Sequence, residues 1–218
     1  MVRLIMLSPP GGGKGTHGRW LTQQTGAAHV SSGDLLRAEI ARGSDLGRQV
    51  AAYTARGDLV PDELILSILM PVVVAAARET GGYVLDGFPR TLPQAKRAAE
   101  LGVELGLTSD AAIYLTAPED ELVARLLDRA ERDGRADDTL GVIRHRLAVF
   151  ARETAPLVEY YRDRGILVEL STDRPEAEVR ADLRDWLEAR GLMLPVDRLP
   201  GHRSCMPTST GVAMKIEE

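Results

Sequence analysis

Residues 8–16 read Ser-Pro-Pro-Gly-Gly-Gly-Lys-Gly-Thr, between an apolar run, Leu4–Leu7, and a helical pattern. Glycines at such a junction let backbone N–H groups turn inward around phosphate oxygens, where the helix N-terminus favours negative charge. Gly11, Gly12, Gly13, Gly15 and Thr16 are therefore candidates for a phosphate cradle. Lys14 adds a mobile positive charge for a phosphoryl group in transfer. A glycine cluster alone is an ordinary turn; Gly-Lys-Gly-Thr where strand meets helix is much more specific. The general phosphate-loop pattern G-x-x-x-x-G-K-S/T is met imperfectly. Ser8 stands at the first glycine, and Gly15 stands where the hydroxyl residue belongs, with Thr16 one place later. A serine can occupy that first position if its φ is negative.

A second cluster, Asp86-Gly87-Phe88-Pro89-Arg90-Thr91-Leu92-Pro93-Gln94, directly follows the apolar run Tyr83–Leu85. An aspartate at a strand end can hold Mg²⁺ through water, as carboxylates in phosphoryl-transfer sites do. Arg90 can grip a phosphate, and Gln94, both donor and acceptor, can read a base edge. Further upstream, Ser32 offers a hydroxyl, Arg37 a bidentate fork for phosphate, and Leu59-Val60 an apolar edge. Alone, Ser32 and Arg37 read equally well as an N-capped surface helix with a solvated arginine. A third group, Arg125, Arg129, Arg135 and Arg146, surrounds residues 128–138. Arginine supplies positive charge around phosphoryl oxygens without titrating. Any one of these arginines could equally belong to a solvated, salt-bridged face, with Asp128 and Glu131 as partners.

These groups need a frame. Short apolar runs, Val2–Leu7, Ala28–Val30, Tyr83–Leu85, Ala111–Leu115 and Leu167–Leu170, alternate with helical patterns at Gly15–Gln24, Pro61–Glu79, Leu92–Leu105, Glu119–Arg129, Thr139–Arg162 and Pro175–Arg190. Pro156 should kink the helix in which it lies. Strands spaced by helices favour parallel pairing through right-handed crossovers, hence a sheet covered on both faces. Ligands of such sheets sit beyond the carboxyl ends of the strands, where the candidate residues fall.

Composition narrows the class. The chain has 218 residues, 44% hydrophobic and 27% charged, and can bury a sizeable core without metals or disulfides. A net charge of −5 argues against nucleic acid as a partner. The single cysteine, Cys205, can build neither an internal disulfide nor a multi-thiolate zinc site, and fits a reducing compartment. Cys205 and His202 read as incidental, and His17, His29 and His145 as packing or surface groups. The N-terminal apolar stretch is too short for a signal peptide, and no run approaches the roughly 18 apolar residues of a membrane span. The expected location is cytoplasmic, with no membrane partner. From Gly191 the pattern dissolves into Pro, Ser, Thr and Gly, read as a flexible C-terminal tail over 191–218.

The loop closely resembles that of the adenylate kinase family, G-x-P-G-x-G-K-G-T, with Ser8 the single departure. The resemblance extends through Ser31-Ser32-Gly33-Asp34-Leu35-Leu36-Arg37, Gly57-Asp58-Leu59-Val60-Pro61-Asp62, the Asp86–Gln94 string and Gly134-Arg135-Ala136-Asp137-Asp138 with the later Arg144-His145-Arg146. It covers residues 1 to about 190 in family order. It implies an α/β P-loop kinase with a five-stranded parallel sheet and helices on both faces. Residues 1–190 would form the core, 31–60 a small insertion closing over the nucleoside monophosphate, and 128–138 a short lid. It further implies reversible transfer, ATP + AMP = 2 ADP, with Mg²⁺, serving adenine nucleotide homeostasis. ATP would be held by Gly11–Thr16, Arg125, Arg129 and Arg174, the last through its backbone beside the adenine. AMP would be held by Ser32, Arg37, Asp58, Leu59, Val60, Gly87, Phe88, Pro89, Arg90, Gln94, Arg135 and Arg146. Lys14, Arg90, Arg129, Arg135 and Arg146 would be catalytic, and Asp86 would take Mg²⁺ through water. Relatives that use UMP or CMP typically carry alanine at position 32 and asparagine at 91, so Ser32 and Thr91 favour AMP. A lid without cysteine excludes structural zinc, and short forms of the family suggest a monomer. Two rivals stay open: a UMP or CMP kinase, and a non-catalytic nucleotide switch.

Overall fold

The computed structural model describes residues 1–133 and 139–193. Residues 134–138 of the expected lid, Arg135 among them, and residues 194–218, with His202 and Cys205, lie outside the described residues. The elements run β1 (Arg3–Leu7), α1 (Lys14–Thr25), β2 (Ala28–Ser31), α2 (Ser32–Ala41), α3 (Asp45–Thr54), α4 (Asp62–Thr80), β3 (Tyr83–Asp86), α5 (Leu92–Glu104), β4 (Ala111–Thr116), α6 (Glu119–Asp133), α7 (Leu140–Val149), α8 (Pro156–Asp163), β5 (Leu167–Ser171) and α9 (Glu176–Glu188). All five strands are parallel, in the order β2-β3-β1-β4-β5.

Side chains alternate across a strand, and β1 serves both faces of the sheet. Leu4 and Met6 join Leu21 of α1 and Leu183 and Leu187 of α9 on one side. Ile5 and Leu7 join Ala95, Leu157 and Tyr161, from α5 and α8, on the other. A strand buried on both faces needs a continuous apolar run, which Leu4–Leu7 supplies. Because β1 is central, flanked by β3 and β4, its carboxyl end opens in the middle of the sheet edge.

The 31–60 stretch folds as α2 and α3. The helices cross closely at Gly47, where an added Cβ would drive into the Glu39 carbonyl. Ser44 caps α3 by accepting the Gly47 N–H at 2.9 Å. Val50 of α3 and Leu36 of α2 pack with Leu69 and Val73 of α4, anchoring the insertion to the core.

Two boundaries differ from the sequence reading. The single helix expected over Thr139–Arg162 is instead α7, a π-helical segment at Phe150–Thr154, and α8. Pro156 has no N–H, and the ladder widens just before it, with the Ala155 N–H bonding the Phe150 carbonyl five residues back. Helix α6 runs to Asp133 rather than Arg129, so Asp128–Asp133, assigned to the lid, are helical. At the start of the stretch expected to be a tail, Gly191 takes φ 64°, and Leu192 and Met193 pack on the core beside Leu187. Among the described residues no helix is long and apolar enough to cross a membrane.

Candidate active site

One cavity of about 980 Å³ lies along the carboxyl edge of the sheet, lined from the loop after β1, the α2–α3 insertion, the segment after β3 and helices α6 and α7. The loop after β1 forms one end of it. Gly11 (φ 83°) cannot be replaced, since a Cβ would lie 2.8 Å from the Leu122 carbonyl. Gly13, also left-handed at φ 85°, occupies the cap position of α1, and among the described residues no side chain caps its first turn. No acidic residue stands in that turn, so its donors and dipole face the cavity as an anion site.

Lys14 lies along the floor of this loop. Its Nζ donates to the Ser8 carbonyl at 2.8 Å, to Ser8 Oγ at 2.9 Å and to the Pro9 carbonyl at 3.3 Å. Ser8 Oγ in turn donates to the Pro9 carbonyl at 2.7 Å. Ser8 has no positive φ, which is how a serine fits where the family pattern has glycine. Its hydroxyl tightens the loop and adds an acceptor for the lysine. Burial lowers the Lys14 pKa to about 8, with Arg90 and Arg129 acting in the same direction and Asp86 opposing.

Register places Met6, Ser31 and Asp86 side by side at the ends of β1, β2 and β3. Asp86 is 9% exposed, and its Oδ2 lies 3.9 Å from His29 Nε2. Beyond it the chain turns through Gly87 (φ 82°), where a Cβ would sit 2.5 Å from Ser32 Oγ. That close approach brings Ser32 against the Asp86–Gln94 segment. Ser32 Oγ is fully buried with no hydrogen-bond partner among the described residues, an uncompensated cost unless a ligand satisfies it.

Arg90 folds back, its Nε donating to the Gly87 carbonyl at 2.7 Å. Burial lowers its pKa, opposed by Asp86 and reinforced by Arg146 and Arg37, so three guanidinium groups and one carboxylate share this end. Arg37 is ion-paired to Asp34. Gln94 is 3% exposed and held at both ends of its amide, by the Arg90 N–H and by Asp62. Leu59, Val60, Phe88 and Pro89 line the same end. Asp58 lines it too, but its carboxylate accepts from Arg56 Nε and pairs with His145 Nε2 on α7, each at 2.8 Å.

Arg125, Arg129 and Arg146 line the cavity, whereas Arg144, which is not a site candidate, is exposed on α7 and does not. Arg125 bonds Glu121 at 2.9 Å and the Thr172 hydroxyl and carbonyl at 3.2 and 2.8 Å, pinning the loop after β5. The Arg174 guanidinium pairs with Asp182 of α9, while the residue still borders the cavity. His17 lies buried beneath Gly13, and burial lowers its pKa. Two contributors escaped the sequence reading. Thr154, in the π-helical segment, donates its hydroxyl to the Arg90 carbonyl at 2.8 Å. Pro156 signals a distortion there, but nothing in the sequence says that it meets Arg90. Asp62 ends a recognised motif, yet its bond to Gln94 spans 32 positions of sequence.

A central parallel sheet, a glycine cradle with its lysine, and a second arginine-rich end in one cavity define a nucleotide phosphotransferase of the P-loop class. The family model for adenylate kinase matches residues 6–166. The chain is 40% identical over 189 residues to an adenylate kinase of Thermobifida fusca, covering 87% of this chain and 100% of that protein. It is 43% identical over 190 residues to one of Leifsonia xyli (87% and 95%) and 43% over 192 residues to one of Clavibacter michiganensis (88% and 96%). The chain belongs to the adenylate kinase family.

Proposed function

We propose that this protein transfers the terminal phosphoryl group of ATP to AMP, reversibly, giving two ADP. The observation that carries the reading is Asp86, the electrostatic neighbour of both Lys14 on the donor loop and Arg90 on the acceptor wall. Two cations suited to gripping phosphate therefore share one carboxylate neighbour. In this reading ATP lies with its phosphates along Gly11–Thr16 and its adenine against the loop that Arg125 pins and Arg174 borders. AMP lies between Ser32, Leu59, Val60 and the Gly87–Gln94 wall, its phosphate toward Arg37, Arg90 and Arg146. Asp58 offers it backbone, since its carboxylate is engaged. An acceptor phosphate oxygen attacks in line, and Lys14, Arg90, Arg129, Arg146 and, from outside the described residues, Arg135 hold the charge that spreads over the transferring oxygens. Excluding water keeps the phosphoryl group from hydrolysis.

The residues fit Mg²⁺. One carboxylate at a strand end, beside the phosphate loop, suits an ion that keeps several waters and takes its remaining ligands from phosphates. Among the described residues no cluster of three acidic, His or Cys groups forms an all-protein cage. Bound there with ATP, the ion would neutralise charge on the phosphate oxygens. AMP is favoured over UMP and CMP by the buried, unsatisfied Ser32 hydroxyl and by Gln94, both suited to a purine edge. Mixing the purified protein with ATP, Mg²⁺ and each monophosphate in turn tests the reading. ADP from AMP is expected, with little product from UMP or CMP. Turnover of UMP but not AMP overturns the base assignment, and no turnover with any acceptor favours a nucleotide switch.

A further inference from the structure

Gln94 is the buried amide at the acceptor end, and its two ends are chemically different although nearly identical in shape. Its Oε1 accepts from the Arg90 backbone N–H at 2.8 Å, and its Nε2 donates to Asp62 Oδ1 at 2.6 Å. The first partner can only donate and the second, as a carboxylate, can only accept. Turning the amide over would set N–H against N–H and oxygen against carboxylate oxygen, two repulsive contacts in place of two bonds. The amide is thereby locked in one sense. Asp62 reaches it from outside the cavity: it stands exposed in the first turn of α4, is not among the cavity-lining residues, and follows the insertion directly.

Each end of the amide keeps one unused position, a lone pair on Oε1 and a hydrogen on Nε2. These form an acceptor beside a donor in fixed order. A 6-aminopurine edge, with its exocyclic N–H beside an unprotonated ring nitrogen, matches that order. A 6-oxopurine edge in the same pose presents an acceptor to the lone pair and a donor to the hydrogen, and is repelled twice.

We infer that Asp62 is a specificity-determining positioning residue, which, by locking the Gln94 amide, makes the acceptor site prefer a 6-aminopurine monophosphate over its 6-oxo counterpart. The inference rests on the reading of Gln94 as a group that meets the base. The discrimination comes from a residue that never touches the nucleotide.

The test compares kcat/KM for AMP and for IMP in the wild type, Asp62→Ala, Asp62→Asn and Gln94→Ala, with the KM for ATP and thermal melts recorded alongside. Asp62→Ala should lower the AMP-to-IMP ratio about threefold to tenfold, the effect of losing one hydrogen bond, mainly through KM for AMP, with KM for ATP little changed. Asp62→Asn keeps a carbonyl that can accept from Nε2 and should recover most of the ratio. A purely structural role, the negative charge favouring the start of α4, predicts that asparagine and alanine lose stability alike and that neither moves the ratio. An unchanged ratio in Asp62→Ala, or an equal fall in Asp62→Asn, overturns the inference while leaving AMP phosphorylation intact. If Gln94→Ala also keeps the wild-type ratio, the reading of Gln94 fails and the inference with it. Absence of turnover with AMP in the wild type instead refutes the proposed function itself.

Discussion

Lys14→Met should make the protein more stable and nearly inactive. The Lys14 ammonium sits in the loop with its pKa lowered from 10.5 to about 8, chiefly by burial. At about 1.4 kcal/mol per pH unit, that displacement corresponds to at most about 3.5 kcal/mol held against the folded state. The figure is an upper bound, because Lys14 is only partly buried and water in the cavity screens it. Methionine also forfeits the three bonds to Ser8 and Pro9. With those bonds offsetting about 1.5–2.5 kcal/mol, a net gain of about 1–2 kcal/mol remains, or roughly 2–8 °C in Tm for a chain of this size. The sign with pH follows from proton binding. Below pH 8 both folded and unfolded chains hold the Lys14 proton, and the cost is present in full. Between pH 8 and 10.5 the unfolded chain holds more of it, so wild-type stability gains with rising pH while the Met variant lacks that gain. Nucleotide-free thermal melts of both proteins at pH 7 and pH 10 measure this, since every other titration is common to the two. The gap should be largest at pH 7 and close toward pH 10. Turnover should fall on the order of 10²–10³-fold, as when one preorganised donor is removed from a transition state. A lower Tm for the variant at pH 7, or a gap independent of pH, would refute the reasoning.

Gly87→Ala should raise KM for AMP at least about tenfold while KM for ATP changes little, because φ is 82° and the new Cβ would meet Ser32 Oγ at 2.5 Å; steady-state kinetics with each substrate varied checks it, and equal effects on both contradict the assignment. Thr154→Val keeps the shape of the π-helical segment but removes the bond to the Arg90 carbonyl. It should cost about 1–3 kcal/mol in urea denaturation and reduce kcat, and an unchanged kcat would confine Thr154 to packing. Leu183→Ala, at a side chain with 0% exposure under β1 and β4, should destabilise by about 2–5 kcal/mol while leaving kcat at 25 °C nearly intact. A loss below about 1 kcal/mol would contradict the core described here.

Much of this protein is written locally. The run Leu4–Leu7 is apolar throughout because both sheet faces are covered, and the alternation of such runs with helical patterns favours parallel pairing. Gly-Lys-Gly-Thr at a strand-to-helix junction points to a phosphate cradle with a cation, and the left-handed backbone at Gly11 and Gly13 is what the structure adds. The Asp86–Gln94 string falls just after β3, so the edge rule for such sheets brings it beside the loop. What the sequence could not supply are contacts set by how elements pack. Ser8 could be judged compatible only once its φ and its bonds to Lys14 and Pro9 were known. Arg125 and Asp58 look like ligand groups in one dimension, but packing of α6 on the 172 loop and of the insertion on α7 commits their side chains to Thr172, Arg56 and His145. The widened helix before Pro156 and the reach of Asp62 to Gln94 arise from distances across the fold, which no local pattern encodes. Residue types and their order thus determined which chemistry is possible, because hydrogen-bonding capacity and backbone freedom belong to single residues. The tertiary structure decided which groups are already engaged and which face the cavity, because a partner distant in sequence is chosen only when helices and strands pack.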